Sequence, residues 1–199
     1  MATKKVHIIK TGVANIASMM AAFRRLGGEP ELTENPDHVR GDDWVVLPGV
    51  GSFGAGMQRI EELGMREALV ERAAAGKPLL AVCLGLQLLC AESEESAGVE
   101  GLGIVPAKIT RFPDTVRIPQ FGWNRVAADE SCRLLTSGYA YFANSYRLRE
   151  APEGWSPATA EHGGPFVAAM ERENILACQF HPEISGKWGL GLLERWLQC

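Results

Sequence analysis

A chain of 199 residues has the length of one globular domain, and roughly 70% of the surface its unfolded form exposes can be buried at that size. With 46% hydrophobic and 22% charged residues and a mean hydropathy of -0.04, the composition excludes a disordered chain and a membrane-embedded one. A net charge of -4 and a pI near 5.6 argue against nucleic acid as a partner, because binding phosphates needs a basic face.

In chain order, Val6 to Ile9 reads as an apolar strand and Asn15 to Leu26 as a helix. Trp44 to Leu47 is followed by a helical pattern over Met65 to Ala75, and Leu79 to Val82 by another from Leu84 onward. This alternation of short Val/Ile/Leu runs with longer helical periods predicts crossover units and a parallel sheet. The second half changes character: Ile104 to Ile109, Tyr139 to Ala143, Phe166 to Met170 and Ile175 to Phe180 read as strands with little helix between them. An α/β fold with a mixed sheet and an antiparallel extension is expected. Gly189 to Leu197 closes the chain as a helix with Leu190, Leu193 and Leu197 on one face. No repeat or Pro/Ser-rich linker interrupts the chain, so one domain over 1–199 is expected. The apolar run Pro78 to Cys90 contains Gly85 and Gln87 and is shorter than the roughly 20 residues that span a bilayer. Met1 to Lys5 leads straight into the first strand without the apolar stretch of a secretory signal, which predicts a cytoplasmic protein. Five cysteines without a CxxC pair predict free thiols. With only four histidines, a three-histidine centre would use nearly all of them, so no metal and no cofactor is expected.

Three segments carry chemistry. Gly49-Val50-Gly51-Ser52-Phe53-Gly54 follows a strand and matches GxGxxG, but the next strand ends in Cys83 where a dinucleotide site needs an acidic residue. It reads equally as a plain strand-to-helix turn or as a row of N–H groups facing an anion. Cys83 sits between the apolar strand Leu79 to Val82 and the helical LGLQLL. That is the arrangement of a nucleophile elbow, where a helix N-terminus lowers the thiol pKa; the competing reading is a buried core cysteine. Cys90, without a turn beside it, reads as packing within the helix. Gln179-Phe180-His181-Pro182-Glu183 ends an apolar strand. In an extended chain His181 and Glu183 point to the same side, giving a base with an orienting carboxylate. Taken together, the nucleophile, the His/Glu pair and a loop able to supply oxyanion donors predict acyl transfer through a thioester.

The stretches Leu47-Pro-Gly-Val-Gly51, Val82-Cys-Leu-Gly-Leu-Gln87, Ser93-Glu94-Glu95, Pro119-Gln-Phe-Gly-Trp-Asn124, Tyr141-Phe-Ala-Asn-Ser-Tyr146 and Gln179-Phe-His-Pro-Glu183 resemble those of class I (triad) glutamine amidotransferases. The likeness is strongest to glutaminase subunits of imidazole glycerol phosphate synthase and covers essentially the whole chain. The resemblance implies a flavodoxin-like, three-layer αβα sandwich with a mixed, mostly parallel central sheet. It implies Cys83 as nucleophile, His181 as proton shuttle and Glu183 as its orienting group, with oxyanion donors from Leu84 and from the loop at Val50 and Gly51. Gln87, Glu95, Ser145 and Tyr146 are implied to line the L-glutamine site. Trp123, Asn124 and Ile184 are implied to face a (βα)8-barrel cyclase in a heterodimer. Gln120 and Asn144 stand where such sequences often carry histidine, and Ile184 where lysine usually follows His-Pro-Glu. Two other readings remain open: a stand-alone cysteine hydrolase, such as a peptidase or γ-glutamyl hydrolase, and a nucleotide-binding module built on the glycine loop. Because a glutaminase without its partner would waste glutamine, the free chain is expected to hold the Gly49-Val50 peptide with its N–H turned away from the substrate.

Overall fold

The computed structural model describes residues 4–12 and 15–199; Met1 to Thr3, part of the N-terminal stretch read above, lie outside them. The first half alternates β1 (Lys5–Ile9), α1 (Ile16–Arg25), β2 (Glu29–Thr33), α2 (Pro36–Arg40), β3 (Trp44–Leu47), α3 (Phe53–Glu62), α4 (Met65–Ala74), β4 (Leu79–Val82) and α5 (Leu84–Leu89). The second half is strand-rich: β5 (Cys90–Ser93), β6 (Val105–Arg111), β7 (Gln120–Ala128), β8 (Gly138–Asn144), β9 (Tyr146–Leu148), β10 (Ser156–Glu161), β11 (Pro165–Arg172) and β12 (Ile175–Cys178), closed by α6 (Gly186–Leu197).

Nine strands form one sheet in the order β2-β1-β3-β4-β12-β11-β10-β7-β8. The five from β2 to β12 pair in parallel, and β11, β10, β7 and β8 continue the sheet by antiparallel pairing. This is the α/β architecture with an antiparallel extension that the apolar pattern predicts. Strand β4 is buried at every residue, as a central strand covered on both faces must be. One face packs on α1 and α6 through Phe23, Leu193 and Trp196. The other packs on α3, α4 and α5 through Ile60, Leu69 and Leu88, and on the small sheet β5-β6-β9. Parallel pairing brings the C-terminal ends of β3, β4 and β12 to one edge, where open α/β sheets bind ligands.

Several elements escape an apolar-pattern reading. Strand β2 carries Pro30 and two glutamates, tolerable because it is the sheet's edge. Helix α3 contains Gly54 and Gly56, which look like loop residues; a Cβ at Gly56 would crowd Leu88 and Leu84, so the glycine lets α3 pack closely on α5. The helix from Leu84 ends at Leu89, and Cys90 opens β5 rather than continuing it. Cys90 is nevertheless fully buried, and burial pushes its thiol up to about 12, so its reading as a packing residue stands.

Arg72 ties the α2–β3 connection to the core. It is 1% exposed, and its guanidinium donates to the carbonyls of Val39 (2.7 Å), Pro78 (3.0 Å), Gly41 (3.1 Å) and Asp43. Burial lowers its pKa to about 10, against the pull of Asp42 and Asp43, so it keeps its charge. Removing a buried donor leaves its acceptors unpaired. Arg72→Leu should therefore cost about 3 kcal/mol or more in urea denaturation, whereas Arg40→Leu, which loses an exposed ion pair with Glu71, should stay within about 0.5 kcal/mol.

Candidate active site

Cys83 follows the buried end of β4 and adopts φ 56°, ψ -110°, a conformation unusual for a residue with a side chain. Its N–H donates to Cys178 O at 2.7 Å, and the Gln87 N–H returns to Cys83 O at 3.4 Å to open α5. The turn is possible because Gly85 passes against the Leu47 carbonyl, where a Cβ would collide. The expected elbow is present, with Cys83 8% exposed at the floor of a cleft. Helix α5 has only six residues, so the thiol's surroundings are set mainly by side chains from β12 and the turn after it.

His181 lines the same cleft as Cys83, and its Nδ1 lies 2.9 Å from Glu183 Oε1. The pair forms by a different route from the extended one expected. Strand β12 ends at Cys178, and Pro182–Ile184 is a single 3-10 turn. Pro182 favours that turn because its ring fixes φ, and the turn swings the Glu183 carboxylate back beneath the ring. The His181 N–H donates to Tyr141 O (2.9 Å), and Ser185 Oγ donates to His181 O (2.6 Å). Burial alone would lower the imidazole pKa, but the hydrogen bonds and charges of Cys83 and Glu183 outweigh it and raise the value to about 10.

Val50, Gly51, Leu84, Gln87, Glu95, Ser145 and Tyr146 line the same cleft as Cys83 and His181. Its volume is about 190 Å³, below the roughly 300 to 1,000 Å³ of pockets for drug-sized ligands. Glu95 has a second task, because its Oε2 accepts the Phe53 N–H at 2.6 Å and so caps α3. Gln87 Nε2 donates to Gln179 Oε1 (3.0 Å) and to Tyr146 O (3.3 Å). Gln179 is missing from the expected site although it is fully buried and its Nε2 donates to Cys83 Sγ at 3.8 Å. The signal for it was present: two residues before His181, it falls on the side of the chain that alternation assigns to the site.

In the glycine loop, the Leu84 N–H donates to the Gly49 carbonyl at 3.3 Å. The carbonyl of the Gly49-Val50 peptide therefore occupies one expected oxyanion donor, and in a planar trans peptide the Val50 N–H points the other way. Gly49 approaches Leu84 so closely that a Cβ would meet its side chain at 2.7 Å, and Gly51 takes φ +105°. A phosphate cradle is not formed, since the first N–H groups of α3 are used by Glu95, Ser96 Oγ (2.9 Å from Gly54 N) and Ser52 Oγ.

Trp123 (58% exposed) and Ile184 (36%) reach the surface together with Phe121 (64%) and Tyr139 (61%), two residues the sequence reading does not single out. Asn124 lies on the opposite face of β7 from Trp123, as strand alternation requires, and its Nδ2 donates to Glu161 O at 2.9 Å. Its visible role is to hold β7 to the end of β10.

The His181 environment sets a pH dependence of stability. With a folded-state pKa of about 10 against an ordinary 6.5, protonation of His181 stabilises the fold fully below pH 6.5, and the contribution fades as pH rises through 10. The Tm difference between the parent chain and His181→Asn should therefore be largest near pH 6 and shrink towards pH 10 in thermal melts.

The glutamine amidotransferase class-I family model matches residues 8–197. The imidazole glycerol phosphate synthase subunit HisH of Symbiobacterium thermophilum is 38% identical over 196 residues, covering 96% of this chain and 92% of the relative. The HisH subunit of Methanothermobacter thermautotrophicus is 40% identical over 196 residues, with 97% and 98% covered. A crystal structure of a glutamine amidotransferase superposes with a TM-score of 0.77 at 22% identity over 97% of both chains, a likeness of fold. The chain belongs to the class I glutamine amidotransferase family.

Proposed function

We propose that this chain is the glutaminase subunit of an imidazole glycerol phosphate synthase. One observation carries the reading: Cys83 and His181 line one small cleft, and His181 is bonded through Nδ1 to Glu183. In this reading the proton shared by Cys83 and His181 rests on the imidazole, and the Cys83 thiolate attacks the side-chain carbonyl carbon of L-glutamine. The C–N bond breaks as His181 passes the proton to the leaving nitrogen, giving ammonia and a thioester. Water, deprotonated by His181, then cleaves the C–S bond, releasing glutamate and restoring the thiol. Glu183 holds the ring's orientation, Gln179 donates to the sulfur, and Gln87, Glu95, Ser145 and Tyr146 contact the substrate. Ammonia passes to a (βα)8-barrel cyclase subunit, which forms imidazole glycerol phosphate and aminoimidazole carboxamide ribotide in histidine biosynthesis. The exposed patch of Phe121, Trp123, Tyr139 and Ile184 fits this docking role, as contiguous apolar surface marks an interaction site. A single domain over 1–199 is supported by the sheet that threads both halves, and a reducing compartment such as the cytoplasm by five free cysteines.

The occupied Leu84 N–H favours a partner-dependent enzyme over a stand-alone hydrolase. An oxyanion would have only part of its cradle until the Gly49-Val50 peptide rotates, and the glycines on either side of Val50 make that rotation sterically cheap. Among the described residues, no helix is long and apolar enough to cross a membrane.

Cys83→Ser should abolish glutamine hydrolysis while leaving cyclase-coupled synthesis from ammonium intact, and loss of both would mean a structural role for Cys83. His181→Asn should cost several orders of magnitude in kcat and more than Glu183→Gln, since the imidazole moves protons and the carboxylate only orients it. A missing oxyanion donor typically costs about 10²- to 10³-fold. Adding a histidine-pathway cyclase with its ribotide ligand should therefore raise kcat by at least that factor, measured as glutamate release; full activity of the isolated chain, or a change in KM alone, would refute the loop mechanism.

A further inference from the structure

The most unusual cluster outside the cleft surrounds His7, in the middle of β1 on the face that packs against α2. The ring is 3% exposed, and its Nε2 lies 3.1 Å from Asp43 Oδ2. Its Nδ1 is 2.9 Å from Glu31 Oε1 of β2, yet it makes no hydrogen bond among the described residues. The two statements agree if the oxygen lies beside the nitrogen but off the line along which a proton would point. His38 of α2 stacks on His7 with ring centroids 4.4 Å apart and planes 29° apart. Its Nδ1 is 2.9 Å from Thr33 Oγ1 and 3.9 Å from Glu31 Oε1. One ring nitrogen of each histidine and a carboxylate oxygen of Glu31 all fall within 4.8 Å of one another.

A buried nitrogen beside an oxygen, close but not aligned for a hydrogen bond, is how two ligands of one ion stand. Donors each about 2.0–2.2 Å from zinc are about 3–3.5 Å apart in a tetrahedral site. Asp43 adds the expected outer partner: a carboxylate accepting the Nε2–H fixes the tautomer and leaves the Nδ1 lone pair for a metal. We propose that His7, His38 and Glu31 form a binding site for a zinc-like divalent cation, with water completing the coordination; an ion lies in the plane of each ligating imidazole, so the half-exposed His38 ring must leave its Thr33 bond and turn off its stack on His7 to reach it. The donor set is nitrogen and oxygen without thiolate, which suits Zn²⁺ and Co²⁺ rather than Mg²⁺ or Ca²⁺. The half-exposed side chains of His38 (42%) and Glu31 (40%) provide the entry path. Lys5 Nζ, 3.8 Å from the same Glu31 oxygen and 48% exposed, is the competing cation and can swing into solvent. A bound ion would clip together β1, the edge strand β2 and the five-residue helix α2. None of these residues lines the Cys83 cleft, so the role is structural and independent of the proposed glutaminase chemistry. Such a site needs only two of the four histidines, fewer than the three-histidine centre weighed from the sequence.

The test is a titration of the chelator-stripped full chain with Co²⁺. One equivalent should produce the visible absorption of four-coordinate cobalt without thiolate charge-transfer bands, and Zn²⁺ should displace it. Zn²⁺ at a hundredfold excess over its Kd should raise Tm by about 5 °C or more. His38→Gln and Glu31→Gln, which change half-exposed side chains, should melt like the parent in chelator yet bind zinc at least tenfold more weakly; Asp43→Asn should weaken it about 10- to 100-fold. No stoichiometric cobalt spectrum, a spectrum of thiolate type, or one unchanged in His38→Gln and Glu31→Gln would overturn the site.

Discussion

The turn from β4 into α5 is the constraint on which the rest of the molecule depends. A cysteine at φ 56° is held at a cost of about 1–3 kcal/mol, and this persists only because its neighbours leave the chain no other course. Strand β4 is locked between β3 and β12, its four residues are buried on both faces, and the Cys83 N–H is bound to Cys178 O. Gly85 then lets α5 start directly against the Leu47 carbonyl. A side chain there would push the helix away from β3 and carry Cys83 with it. The same packing thus fixes the sulfur at the sheet's edge and brings Leu84, an expected oxyanion donor, beside the glycine loop.

That proximity gives the Leu84 N–H two possible partners. With no substrate oxygen in reach, a buried donor is satisfied by the Gly49 carbonyl. The contact is a stabilising hydrogen bond, and any rotation of the Gly49-Val50 peptide must first offset it. A net hydrogen bond of about 1 kcal/mol is small enough for a docking interface to overcome, and glycine on both sides of Val50 keeps steric cost from adding to it. Val50 itself is 43% exposed, so this peptide is accessible from the surface.

The sequence exposed the buried half of this design more clearly than its edges. Strands β1, β3, β4 and β12 announce themselves because parallel strands covered on both faces are continuous apolar runs. Strands β2, β7 and β10 do not, since one carries Pro30, another Gly122 and the third the polar Ser156–Glu161; their place in the sheet comes from pairing partners distant in the chain. Cys83 is legible because strand, turn and helix adjoin in sequence. His181 and Glu183 are legible as a pair, but alternation supplies the wrong geometry for them, since Pro182 converts the strand's end into a 3-10 turn. Gln179 needed that alternation applied one step earlier, and the His7 cluster needed three elements brought together by the fold, which no local spacing encodes.

The antiparallel extension explains how events at the surface can reach the catalytic base. In β8, Tyr141 pairs with Trp123 across the ladder and packs edge-on against its ring at 6.2 Å. Its carbonyl accepts the His181 N–H, and its own N–H donates to Ser185 Oγ, whose hydroxyl in turn donates to His181 O. The Phe121–Trp123 surface therefore belongs to a ladder whose neighbouring strand is bonded directly to the histidine turn. Three residues further along, Asn144, Ser145 and Tyr146 leave β8 to form one wall of the cleft. Tyr141, bonded to the His181 turn, and the cleft-lining Asn144, Ser145 and Tyr146 fall within six residues of one another, and close-packed interiors transmit strain. The four antiparallel strands beyond β12 are unnecessary for holding Cys83, but they join the exposed aromatic face of β7 and β8 to the cleft.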